Sequence, residues 1–339
     1  MANWKKLSGE KNWEGLLKPL NSNLGNHIKL YGERVQVIYD SVNSEDKTRP
    51  AYAMEDLFSE AAIETGTFGK LYTVTDYIFA NSDVASWIDW MVKDQSAWFG
   101  YVAVATDEGK KVLGRRDILI CWRGTRSPAE WFKNAQFDQV SASEIFGNSH
   151  DPQVHKGFLS IYTSPSTEPS SSNLSARDQV MNAVKNLVNK PEYREEEISI
   201  TVAGHSLGAA LATLNATDIV TNQYNKRTGS KEACVVTAFV FASPKVGNEG
   251  FRKVFNALSN LHLLRIENRL DIVTDLPPSS ISYKKVGMKL RIKSHKSALL
   301  NFTDGFQLHD IIPQSHSLKE YLQGVTARQS QLGKLQSKL

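Results

Sequence analysis

The chain has 339 residues, 41% of them hydrophobic and 22% charged, which is enough to bury a large core in one α/β domain with insertions. A formal net charge of +4 is too mild to argue for nucleic acid as a partner. No apolar run approaches the roughly eighteen residues of a membrane-spanning helix, and the start "MANWKKLSGEKNWEGLLKPL" lacks the apolar core of a secretory signal.

The first 60 residues read as a helical N-terminal extension, since "LGNHIKLYGERVQVIYDSV" carries apolar residues at helical spacing. "AWFGYVAVATDEGKKVLGRRDILICWRGT" then reads as two strands joined by a turn at "TDEGKK", a hairpin. Cys121 and, later, Cys234 adjoin apolar strand-like runs and are expected to be buried free thiols. After Thr125, Ser127, Pro128 and Glu130 have the order of a capped helix start. The segment 126–138 carries Trp131 and Phe132, which either pack as core or line a short lid over an apolar groove.

"TSPSTEPSSSNLS" (163–175) is expected to be an exposed loop, and Ser175 with Asp178 starts the next helix. "EISITVAG" reads as a buried strand ending at Gly204, and "AALATLNATDIVTNQY" runs sixteen residues without Gly or Pro, a helix. Two more strands follow, "CVVTAFVFASPKVG" and "LHLLRIEN". The basic run "SYKKVGMKLRIKSHK" (282–296) suggests a surface hairpin, either a solvated face or one attractive to anionic headgroups. The end, 327–339, reads as a flexible tail closing on Ser337-Lys338-Leu339, a tripeptide read by the peroxisomal import receptor, with a cytoplasmic protein as the alternative. Strands alternating with helices predict a single α/β domain whose sheet is mostly parallel with an antiparallel edge.

The chemistry starts at Gly204-His205-Ser206-Leu207-Gly208, which fits G-x-S-x-G on a strand-to-helix turn. A serine hydroxyl needs a base to become a nucleophile, and the base needs a carboxylate to orient it. On sheets of this kind the order is serine, acid, histidine. His262 precedes the best acid, and His295 sits among lysines that oppose an imidazolium. His309 and His316 remain, His316 on a short linker before a final helix. Asp271 follows its strand more closely than Asp275 does, although both remain open as the acid. For an oxyanion hole, the N–H of Leu207 is one donor, and Thr125, ending a strand abruptly, offers an N–H and a hydroxyl.

Together with "YGERVQVIYD", "RRDILICWRGT", "VHKGFLSIYTS", "FASPKVGN", "RIENRLDIVTDLPP" and "HSLKEYLQGV", these motifs make most of the chain resemble the class 3 (fungal-type) lipases, within them the plant phospholipase A1 group. The resemblance implies an α/β-hydrolase fold, Ser206 as nucleophile, Asp271 as acid, His316 as base, Thr125 and Leu207 at the oxyanion hole, and a lid just after Thr125. It also implies release of the sn-1 acyl chain of a glycerophospholipid, with transient contact to a membrane surface and no cofactor or metal. "DIVTDLPP" and "HSLK" depart from the group's usual Asp-x-Val-Pro and His-Asn-Leu-Glu. Two other readings stay open: an esterase or acyltransferase for a small or aromatic ester, and an inactive lipase-fold binding protein.

Overall fold

The structure, a computed structural model, describes residues 4–46, 48–61, 71–81, 96–125, 137–278, 281–294 and 314–336. Its strands are β1 (Tyr72–Asn81), β2 (Ser96–Ala105), β3 (Arg116–Trp122), β4 (Gln139–Ser141), β5 (Gln153–His155), β6 (Ile198–His205), β7 (Val235–Phe241), β8 (Leu261–Asn268) and β9 (Met288–Ile292). The longer helices are α1 (Ser22–Asp40), α2 (Asp107–Leu113), α3 (Lys156–Thr163), α4 (Ala176–Val188), α5 (Leu207–Thr221), α6 (Glu249–Asn256) and α7 (Leu318–Gln336).

Seven strands form one sheet in the order β1-β2-β3-β6-β7-β8-β9, and β4 with β5 makes a small separate ladder. β1 to β3 pair antiparallel and β3 to β9 pair parallel, so the sheet is mostly parallel with an antiparallel edge. All eight residues of β6 are buried, as a central parallel strand covered on both faces must be. On one face α3, α4, α5 and α6 pack over residues such as Ile120, Val202 and Val240. On the other, α1 and α7 pack over Cys121, Ala203, Phe239 and Ile266.

The polar residues that alternate along β6 have a shared partner. Ser199 and Thr201 donate to Asp117 Oδ1 at 2.5 and 2.8 Å. Tyr31 of α1 and Tyr72 of β1 donate to its Oδ2 at 2.9 and 2.7 Å. Arg115, fully buried, stands 3.5 Å from the same carboxylate. A buried charge is tolerated only when paired and hydrogen-bonded in this way. The cluster locks α1 to the sheet, so this helix packs as part of the core.

Four expectations need correction. The connection between β2 and β3 is helix α2, not a hairpin turn. Thr106 caps it by accepting from Gly109 N–H, Asp107 and Glu108 occupy its first turn, and Gly114 ends it at φ 78°. The 163–175 loop is pinned rather than exposed: Ser166, Glu168 and Ser171 are buried, and Glu168 pairs with Arg49 at 2.8 Å. The basic run supplies one strand, β9, parallel to β8, in place of a hairpin, because Tyr283, Val286, Leu290 and Ile292 are drawn into the core. The tail from 327 is helical to Gln336, as the end of α7, whose Gln329 Nε2 donates to Ser22 O at 2.8 Å. β1 and its pairing with β2 went unread in the sequence. Ser175 does cap α4, accepting from Asp178 N–H.

Candidate active site

Ser206 stands between the end of β6 and the start of α5 with φ 58° and ψ −125°, a conformation strained for any residue with a side chain. The motif glycines make that turn possible. A Cβ on Gly204 would lie 2.2 Å from Gly208 O, and one on Gly208 would lie 2.3 Å from Trp122 O. The G-x-S-x-G spacing is therefore a steric demand of strand, turn and helix meeting at backbone contact. Ser206 N–H is held by Phe241 O at 2.9 Å, which ties the elbow to the next strand.

Ser206, His316 and Asp271, far apart in sequence, meet here. His316 Nε2 is 2.7 Å from Ser206 Oγ, and its Nδ1 is 2.8 Å from Asp271 Oδ2. All three are buried. Asp271 leaves β8 and caps a single helical turn, its Oδ1 accepting from Val273 N–H at 3.0 Å. Its Oδ2 also accepts from the Tyr321 hydroxyl at 2.6 Å. With Nδ1–H given to the carboxylate, Nε2 is left to take the serine proton, the arrangement a general base needs. Of the alternatives, Asp275 turns away to pair with Lys285 at 2.9 Å. His262 sits on β8 edge-on to Trp13, while His295 and His309 lie outside the described residues.

Thr125 ends the turn after β3, close against the elbow: a Cβ on its neighbour Gly124 would lie 2.8 Å from Ser206 Cβ. The Thr125 hydroxyl is buried and has no hydrogen-bond partner among the described residues. A buried orphan donor costs stability, so it is expected where a transient acceptor arrives. Leu207 opens α5, where N–H groups have no acceptor within the helix. These two donors can receive an oxyanion. Trp131 and Phe132, with the rest of 126–136, lie outside the described residues, as do Ser337, Lys338 and Leu339. Cys121 is buried and Cys234 half-buried, both free; burial pushes the Cys121 thiol up to about 12, which keeps it inert.

Sequence reasoning passed over three residues that the fold brings to the site. Tyr321 reaches Asp271 because α7 starts just after His316. The other two form a chain with fixed polarity. His205, the "x" of the motif, has Nε2 2.7 Å from His316 O, and a carbonyl only accepts, so that nitrogen carries the proton. Burial, together with the neighbouring His316, holds His205 well below the usual histidine range, so its Nδ1 is a bare acceptor. Tyr39 OH donates to that nitrogen at 2.8 Å, and Tyr39 oxygen accepts from Gly124 N–H at 2.7 Å. Base and oxyanion turn are thus joined through α1. Nothing in the spacing of Tyr39, on a helix about 170 residues from the elbow, signals this. Among the described residues no cluster of His, Cys, Asp or Glu is arranged to hold a metal ion.

Comparison with known proteins agrees with this geometry. The family model described as Lipase (class 3) matches residues 119–281. Phospholipase A1-IIgamma of Arabidopsis thaliana is 40% identical over 340 residues, covering 96% of this chain and 79% of that protein. Phospholipase A1-II 1 of Oryza sativa subsp. indica is 42% identical over 344 residues, covering 97% and 83%. Among solved structures, lipase II from Rhizopus niveus shares the fold with a TM-score of 0.54 at 20% identity, over 89% of this chain and 94% of that one. Similarity of this extent, around a serine elbow with histidine and carboxylate in register, places the chain in the class 3 lipase family, in its plant phospholipase A1 class II group, as a serine ester hydrolase of the α/β-hydrolase fold.

Proposed function

We propose that the chain cleaves the sn-1 ester of glycerophospholipids through an acyl-enzyme on Ser206. The observation that carries this reading is the Ser206–His316–Asp271 hydrogen-bond chain, close to a Thr125 hydroxyl without a partner among the described residues. Ser206 Oγ attacks the acyl carbonyl while its proton passes to His316 Nε2, and the carbonyl oxygen, now an anion, takes donors from Thr125 and Leu207 N–H. Collapse breaks the ester bond, and the leaving lysophospholipid oxygen receives the proton from His316. Water then attacks the acyl-enzyme, giving its proton to His316, and the tetrahedral species collapses to free fatty acid as His316 returns that proton to the departing Ser206 Oγ. Asp271 stabilises the imidazolium at each stage, and Tyr321 and Val273 N–H hold Asp271. No step calls for a metal or an organic cofactor.

The test is turnover of glycerophospholipids with distinguishable sn-1 and sn-2 chains, beside triacylglycerols and small aromatic esters. We expect fatty acid from sn-1, and a loss of about 10³-fold or more in Ser206→Ala and His316→Ala with the fold retained. Turnover confined to small esters would replace the phospholipid reading by the esterase one. Failure of Ser206 to be labelled by a serine-reactive phosphonate would favour an inactive binding protein.

Two further parts of the reading rest on sequence alone. A lid over 126–138 predicts that serine at Trp131 and Phe132 harms hydrolysis of aggregated lipid more than of a soluble ester; equal losses sink it. A peroxisomal address at Ser337-Lys338-Leu339, read by the import receptor, predicts punctate localisation of an N-terminal fluorescent fusion, lost when the tripeptide is removed. Diffuse signal from both fusions would return the protein to the cytoplasm.

A further inference from the structure

The positive charge of this protein is gathered at one edge of its sheet, next to the catalytic acid. From Leu261 to Ser294 there are seven Lys and Arg against Glu267, Asp271 and Asp275, a formal +4, equal to the +4 of the whole chain. The remaining residues therefore sum to zero. Within the edge, Glu267 pairs with Arg265 and Lys285, and Asp275 pairs with Lys285 as well. Lys284, Lys289, Arg291 and Lys293 have no ion-pair partner among the described residues, and the last three are exposed.

Their placement follows from strand geometry. β9 is the last strand of the sheet, and Leu290 and Ile292 turn into the core beneath α7. Lys289, Arg291 and Lys293, two residues apart, share the opposite face as a row of cations spaced by roughly 7 Å. The end of this row is level with the catalytic site: Asn268, paired with Ile292, donates to Ser294 Oγ and to Ser315 O, the residue before His316.

Apolar side chains are exposed on the same stretch. Five large hydrophobic residues are exposed among the described residues, and three of them, Ile272 (42%), Ile281 (42%) and Met288 (38%), lie here. Ile272 directly follows the catalytic acid. Cations on a stretch that also exposes Ile272 and Ile281 match a bilayer's anionic headgroups and the acyl region just below them. A polyanion such as nucleic acid, or an acidic protein, would account for the cations but not for these apolar side chains.

We infer that the β9 edge, with Lys289, Arg291 and Lys293 as its cations and Ile272 and Ile281 as its apolar contacts, is a docking surface for anionic phospholipid bilayers. It deepens the proposed function and rests on it for the purpose of docking: contact at this edge brings the bilayer to the rim of Asp271. Binding itself does not depend on catalysis, so the two can be separated.

The experiment is flotation of the full chain carrying Ser206→Ala, which leaves the lipid intact, with vesicles of phosphatidylcholine alone or with 30 mol% phosphatidylglycerol. Each cation near an anionic surface is worth about fivefold in binding. We expect preferential binding to the anionic vesicles, weakened by added salt. It should fall by about 100-fold in Lys289→Gln/Arg291→Gln/Lys293→Gln, which removes three cations, and further in the corresponding Glu variant, which reverses them. The same triple changes in the Ser206 background should leave hydrolysis of a soluble short-chain ester unaltered, which also reports that they fold. Equal binding to both vesicle types, undiminished binding by the triple Glu variant, or retention by an anionic polymer without binding to vesicles would overturn the inference. Absence of phospholipid hydrolysis alongside selective vesicle binding would instead remove the activity reading and leave the surface standing.

Discussion

Tyr39 and His205 tie the turn at Gly124 to His316, the proposed base, through hydrogen bonds. Tyr39→Phe removes the acceptor of Gly124 N–H and the donor to His205 Nδ1 in one change. We expect kcat to fall by about tenfold with KM little altered, because the oxyanion turn and the base lose positioning rather than substrate contact. His205→Leu should cost a similar factor, and His205→Gln, whose amide can both donate to His316 O and accept from Tyr39, should recover part of it. If the two residues act through one chain, Tyr39→Phe added to His205→Leu costs little more than either alone. Additive losses would show two independent packing effects instead. Kinetics of the four proteins on a soluble ester decide it.

Helix α7 begins two residues after His316, so the base is only as steady as that helix. Leu318, Tyr321 and Val325 are buried against the sheet face that also receives α1. The two helices approach closely where α1 has glycine: a Cβ on Gly32 would stand 2.4 Å from Leu322 Cδ2. Leu318→Ala should therefore cost about 2–4 kcal/mol, from lost burial and the cavity left behind. Activity should decline at temperatures well below global unfolding as α7 loosens and carries His316 with it. Thermal unfolding by circular dichroism, run beside activity at each temperature, checks this; activity that tracks global unfolding alone would mean that α7 and the core melt together.

For the whole molecule, the histidines among the described residues that burial shifts predict a response to mild acid. Burial holds His27, His205 and His262 below the ordinary 6.5. The unfolded chain then binds more protons than the folded one below about pH 6.5, so this stability is complete above that pH and is lost as the pH falls. The carboxylates act lower: Glu196, held to about 2 by its hydrogen bond with Arg116, supports the fold above 4.5 and weakens it only below. Between pH 7.5 and 5.5 the fully buried His27 and His205 contribute most, each with up to about 1.4 kcal/mol. Urea unfolding at the two pH values should show the drop, and His27→Leu should shrink it by up to that amount. An unchanged drop would place the acid sensitivity elsewhere.

Local physics made much of this protein readable in one dimension. The elbow at Ser206, the helix after it, the strands β6, β7 and β8 and the cap at Ser175 are specified by period, glycine spacing and capping over a few residues each. The triad members were nameable because chain order and strand ends restrict where an acid and a base can stand, although choosing His316 over His309 leaned on family resemblance. Other features depend on what lies across the fold. A seven-residue helix replaced the expected hairpin because Thr106 and Gly114 cap it, a competition that alternating strands on either side concealed. The tail became helix because α1 offers it a surface, and the basic run became an edge strand because β8 offers it a ladder. The chain from Gly124 through Tyr39 and His205 to His316 joins residues almost 300 positions apart, and hydrogen bonds of that separation leave no period in a sequence. Local spacing determined the serine elbow; only the packed sheet decided what holds His316 in place beside it.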